Sequence, residues 1–269
     1  VILVASKKCN MIKTVSMFML VGGLVWATSV FGEVPEKRVK EIHEKALTVD
    51  THCDTPMSML DDRFDVGARN TTPESRVDFP KMKDGGLDAM FFAAFTGQRE
   101  RTAENTEKAY TMANDMIDAV YKACDKYSDV AEVAKTSGDA TRIEKTGKRA
   151  IYIGMENGFP IGTDIKRVSE FYKRGVRYIT LCHSSNNDIC DSSTDKKGAE
   201  HNGLSKFGKK VVKEMNNLGV LIDVSHISDQ SFFDVIKRSK TPVFASHSSV
   251  RSIAHHNRNM TDEMIKALA

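Results

Sequence analysis

Tryptophan occurs once in this 269-residue sequence, cysteine five times and proline six times. That little proline, with only 17 glycines, excludes collagen-like chains and proline-rich linkers. No C-x-x-C pair occurs, which excludes zinc-ribbon and thioredoxin-like motifs. An excess of one charge is also missing. The net charge is +3, and it resides in residues 1–32, where Lys7, Lys8 and Lys13 meet no acidic residue. Without a basic block elsewhere, no nucleic-acid partner is expected. Repeats of 20–50 residues and low-complexity tracts are lacking too. No apolar run reaches the roughly 20 residues that cross a bilayer comfortably.

The apolar run Met17–Ala27 follows Met11 and Lys13, and Val30 and Gly32 place small residues at −3 and −1 before Glu33. That is the pattern of a signal peptide. It predicts export to the periplasm or medium, with residues 1–32 removed near Gly32 and residues 33–269 forming the working domain. An uncleaved anchor is the alternative and the one route to a membrane. Cleavage leaves Cys53, Cys124, Cys182 and Cys190. Cys182 and Cys190 are the nearest pair, and the spacing leaves open whether they form a disulfide or stay as buried thiols.

The working region alternates short apolar runs with helical patterns. The runs are Ala46–Val49, Leu87–Phe95, Ala150–Met155, Val176–Cys182, Val220–Val224 and Pro242–Ala245. Most are continuous rather than alternating, as strands covered on both faces should be. Between them, Tyr110, Ala113, Ile117, Val120, Cys124 and Tyr127 form one helical stripe, and 164–174, 204–218, 229–239 and 261–268 are further helices. Gly175 and Gly219 stand where helix-ending glycines belong, and Thr261 reads as an N-cap. The alternation predicts a parallel α/β fold, and pattern alone leaves both a barrel and a doubly wound sheet open.

Polar residues at the strand ends favour the barrel. The first run continues to His52 and Asp54, which share one side of an extended strand. The others lead into Glu156, His183, His226 and His247. A lone histidine at a strand end is most often structural. Repetition carries the signal, because parallel strands present their C-terminal ends on one face, where barrel active sites lie. Imidazole and carboxylate donors suit zinc. His43, His201, His255 and His256 have no comparable placement.

The motifs VDTHCDTP (Val49–Pro56), GMENG (Gly154–Gly158), TLCHSSN (Thr180–Asn186), DVSHIS (Asp223–Ser228), SHSSVR (Ser246–Arg251) and Arg258-Asn259 together resemble the membrane dipeptidase (renal dipeptidase) family of zinc hydrolases. The resemblance implies a (β/α)₈ TIM-type barrel that cleaves dipeptides with two Zn²⁺ ions. By it, His52 and Asp54 hold one ion, His226 and His247 the other, and Glu156 bridges them. Ions about 3.5–4 Å apart then share a hydroxide that attacks the peptide carbonyl. His183 would support the carbonyl oxygen as charge develops, and Arg258 would bind the substrate carboxylate. The resemblance also implies that the barrel is truncated after about six β/α units, without the closing strands and their proton-shuttling aspartate. Dipeptides are the expected partners, with a homodimer left open. Competing readings are a barrel hydrolase of cyclic amides or esters, which usually carries His-x-His on its first strand, and a silent metal-binding fragment.

Overall fold

The structure is a computed structural model that describes residues 34–71 and 76–269. The expected leader, with its cleavage near Gly32, lies outside the described residues. Helix α1 (Glu36–Lys45) belongs to a separate unit that ends at Ala46. Among the described residues no helix is long and apolar enough to cross a membrane.

From Leu47 onward, strands β1 (Val49–Cys53), β2 (Ala89–Phe95), β3 (Ala131–Val133), β4 (Arg149–Glu156), β5 (Val176–Thr180) and β6 (Leu221–Asp223) form one sheet. Every pairing is parallel, in the order β1-β2-β4-β5-β6. One edge of β4 pairs with β2 from Ala150 to Glu156; its other edge pairs first with β3 and then with β5. The helices are α2 (Thr55–Ser58), α3 (Phe79–Asp84), α4 (Ala103–Lys126), α5 (Ser137–Glu144), α6 (Lys166–Lys173), α7 (Lys206–Leu218), α8 (Asp229–Arg238) and α9 (Asp262–Leu268).

Three details depart from the sequence expectation. The first strand begins at Val49 rather than Ala46, because Thr48 is held in the preceding turn by Asp88 and the Gly86 carbonyl. The run Pro242–Ala245 forms no ladder strand and is tied to the sheet by a parallel bridge between Asp223 and Phe244. Strand β3 was not expected, since only Ala131 of its three residues is fully buried. The sheet curls rather than lying flat. The Thr51 hydroxyl donates to the Ser246 carbonyl at 2.6 Å, and the His52 and His247 rings stack at 3.8 Å. The first strand thus meets the turn after the last bridge, as in part of a barrel and unlike a doubly wound sheet.

Side chains of β2 and β4 alternate between two cores, as the strand period of two requires. Met90, Phe92, Ala94, Ile151, Ile153 and Met155 face the helices and pack with the α4 residues Ala113, Met116, Ile117 and Val120. Ala89, Phe91, Ala93, Ala150, Tyr152 and Tyr178 fill the other face. Each large apolar side chain so buried contributes about 1.5–3 kcal/mol. Thr102, Ser205, Ser228 and Thr261 cap α4, α7, α8 and α9 with side-chain oxygens that accept backbone N–H bonds. Cys182 and Cys190 are fully buried and stand as free thiols in mutual contact.

Candidate metal centre

Glu156 ends β4 on the same face as Ala150 and Tyr152, so the strand's alternation directs its carboxylate inward. It is 2% exposed. Four imidazoles surround it. Glu156 Oε1 lies 2.9 Å from His226 Nε2, 3.1 Å from His247 Nε2 and 3.8 Å from His183 Nε2, while Oε2 lies 3.4 Å from His52 Nε2. Two triples have all their donor atoms within 4.8 Å: His52, Glu156 and His247, and Glu156, His183 and His226. Glu156 is common to both. Asp54 joins neither triple; half-exposed, it reaches the cluster through His52 Nε2 at 3.3 Å. Arg258 stands beside the cluster, with Nη1 donating to Ser248 Oγ at 2.7 Å and Nη2 to the His247 carbonyl at 3.0 Å.

The backbone is bent to deliver these groups. His226 has φ 71° and Asn157 has φ 74°, a left-handed conformation uncommon outside glycine. Asn157 holds its turn by donating to the Thr96 carbonyl and accepting from Phe159 N–H and Asn187 Nδ2. Asp191 accepts from the backbone N–H groups of Glu200, His201 and Gly203, tying together the loop that follows His183.

Burial alone would raise the Glu156 pKa, yet His226, His247 and His52 together hold it far below the usual carboxylate range. Burial lowers the His226 pKa to about 4 despite Glu156, and the Arg258 charge adds to the effect. Burial likewise lowers that of His183. His52 goes the other way: burial disfavours its cation, but Asp54 and Glu156 outweigh it and raise the pKa to about 9. His226 Nε2 and His247 Nε2 are 2.8 Å apart, and both lie within 3.1 Å of Glu156 Oε1. Three lone-pair atoms so close are poorly served by protons and well served by a shared cation. The donor set, imidazole nitrogen with carboxylate oxygen, therefore fits zinc.

Several participants were not singled out from sequence. The Tyr178 hydroxyl meets His52 Nδ1 at 2.8 Å, and its ring passes over Gly154, where a Cβ would lie 2.2 Å away. Asp223 and Ser246 stand behind His247. Both occur in motifs quoted above, so they were in view, but their contacts were not. Phe95 packs its ring 4.7 Å from that of His183.

Parallel strands rolled so that their C-terminal ends converge on histidines and carboxylates define the class, a TIM-type α/β barrel with a metal-binding mouth. The chain belongs to the membrane dipeptidase family (peptidase family M19), whose pattern matches residues 36–269. The dipeptidase verJ of Clonostachys rogersoniana is 34% identical over 200 residues, covering 72% of this chain and 51% of that protein. An uncharacterized dipeptidase of Schizosaccharomyces pombe is 29% identical over 253 residues, covering 88% and 60%. The crystal structure of the probable dipeptidase PvdM from Pseudomonas aeruginosa superimposes with TM-score 0.80 at 26% identity, covering 86% of this chain and 60% of that one. A metallopeptidase from Rhodobacter sphaeroides, solved with a phosphinate mimic of L-Ala-D-Ala, shares the fold at TM-score 0.73 and 21% identity, covering 82% and 70%. The chain thus spans about half to three fifths of the curated relatives' length.

Proposed function

We propose that the protein hydrolyses dipeptides using two zinc ions gathered around Glu156. The observation that carries this reading is one buried carboxylate ringed by four imidazoles within 2.9–3.8 Å. Family membership supports it. In this reading Glu156 serves both ions, and its contacts support that: His52 approaches Oε2 and in turn meets Asp54, while His226 and His247 approach Oε1. When bound, the metals supply a water ionised near neutral pH and an electrophilic anchor for the peptide carbonyl.

The remaining work belongs to the chain. His183 Nδ1 meets the Ser184 hydroxyl at 2.6 Å. If that hydroxyl donates, the ring proton sits on Nε2, directed toward the carboxylate cluster, where it can hold a carbonyl oxygen as negative charge grows. The Arg258 guanidinium has five N–H donors, of which Ser248 and the His247 carbonyl take two. The others can bind the free carboxylate of a dipeptide as a fork. Burial lowers the Arg258 pKa but leaves it a cation at neutral pH.

Amino-acid release from a dipeptide series by the zinc-loaded protein tests the proposal. Chelation should abolish release and zinc should restore it. Arg258→Ala should raise KM for free dipeptides and leave that for C-terminally amidated ones unchanged. Hydrolysis of cyclic amides or esters in place of dipeptides would overturn the substrate class. Export belongs to the same proposal, supported by the signal-like segment ending at Gly32. N-terminal sequencing of secreted protein should begin at Glu33.

A further inference from the structure

Behind His247 lies a buried chain of polar groups. Asp223 is 0% exposed. Its Oδ1 accepts the backbone N–H groups of Ser225 at 3.0 Å and Ser246 at 2.9 Å. Its Oδ2 accepts the hydroxyls of Thr180 at 2.5 Å and Ser246 at 2.7 Å. The carboxylate is thus surrounded by donors and acts as an acceptor only. Ser246 Oγ also meets His247 Nδ1, at 2.6 Å.

A hydroxyl has one proton. The carboxylate is the strongest acceptor within its reach, so the Ser246 proton goes to Asp223 and a lone pair faces His247. Two lone pairs cannot share 2.6 Å, so His247 Nδ1 must carry a proton and donate it. From these contacts we infer that Asp223, acting through Ser246, is a positioning residue that fixes the His247 proton on Nδ1 and keeps Nε2 as the atom offered at Glu156. The backbone enforces the same pose. His247 N–H donates to Ser225 Oγ at 3.1 Å, and the Thr51 hydroxyl holds the Ser246 carbonyl. A histidine whose other nitrogen is anchored in this way binds metal in one orientation, and loss of such support typically costs about 10–100-fold in metal affinity. The metal half of the inference rests on the two-zinc reading above; the proton half does not.

Long-range ¹H–¹⁵N NMR of histidine-labelled protein reads the proton position directly, and chelator competition reads zinc affinity. In the parent, His247 Nδ1 should be protonated at neutral pH with and without zinc. Ser246→Ala should retain the fold and lose about 10–100-fold in affinity at one of the two sites. Ser246→Thr, which keeps the hydroxyl, should recover most of it. A parent His247 with a bare Nδ1 would overturn the inference. So would a folded Ser246→Ala protein that binds both ions as the parent does. A parent that takes up no zinc would refute the metal reading, while the NMR result still decides the proton assignment.

Discussion

Glu156 meets all four imidazoles of the candidate site. Because His52 approaches one of its oxygens and His226 and His247 the other, Glu156→Gln should deplete zinc at both positions. His226→Ala should deplete one, and His183→Ala neither. Metal analysis of the purified variants checks this, and a His183 variant as depleted as Glu156→Gln would reverse the assignment. Gly154 contributes by lacking a side chain. Its missing Cβ is what lets the Tyr178 ring cross β4 and reach His52. Gly154→Ala should therefore cost about 1–3 kcal/mol through overpacking, read by urea denaturation. It should also weaken metal binding on the His52 side, because Tyr178 would be pushed off Nδ1.

At the scale of elements, Asp78 shows how a buried charge secures a helix start. It caps α3 by accepting Lys81 N–H at 2.8 Å, and it also accepts Asn70 N–H at 2.9 Å. Burial works to raise its pKa, but these two amides and the Lys81 ammonium prevail and lower it. A depressed carboxylate contributes stability that is complete above its unfolded pKa, about 3.9, and is lost as pH falls through the native value. Asp78→Asn keeps an acceptor but loses the charge at the helix start, so it should be less stable by about 0.3–1 kcal/mol near pH 6, and the gap should narrow below pH 4 in denaturation curves. Elements differed in how plainly they could be read. Strands β2, β4 and β5 were legible because continuous apolar runs mark strands covered on both faces. Strand β3 was not: with Glu132 at its centre, it has no such run. Of the expected α4 stripe, Ala113, Ile117, Val120 and Cys124 are buried, Tyr110 is partly buried and Tyr127 caps the helix end, while Ala109 and Met116 are buried without having been expected. The ligand candidates were legible because each stands at the end of an apolar run or shortly after one. Tyr178, Asp223 and Ser246 were not, because hydrogen bonds between distant segments leave no periodicity.

For the molecule as a whole, stability should be graded outward from β4. It is the strand bonded to three others, with β2 on one edge and β3 and β5 on the other. Amides of Ile151–Glu156 should exchange only through global unfolding, and those of Leu221–Asp223 by smaller openings. Hydrogen exchange under native conditions measures the difference, and equal protection would show that the sheet opens as one body. The alternation of β4 has an evolutionary consequence. Apolar substitutions away from Gly154 change one core at a time, but an insertion or deletion of one residue would exchange the two faces of the strand and swing Glu156 toward the helices. Selection on this strand should therefore act on its length as strictly as on its chemistry. Homologous sequences ought to keep Gly154 and Glu156 and vary among apolar residues between them and Arg149, while keeping the number of residues unchanged.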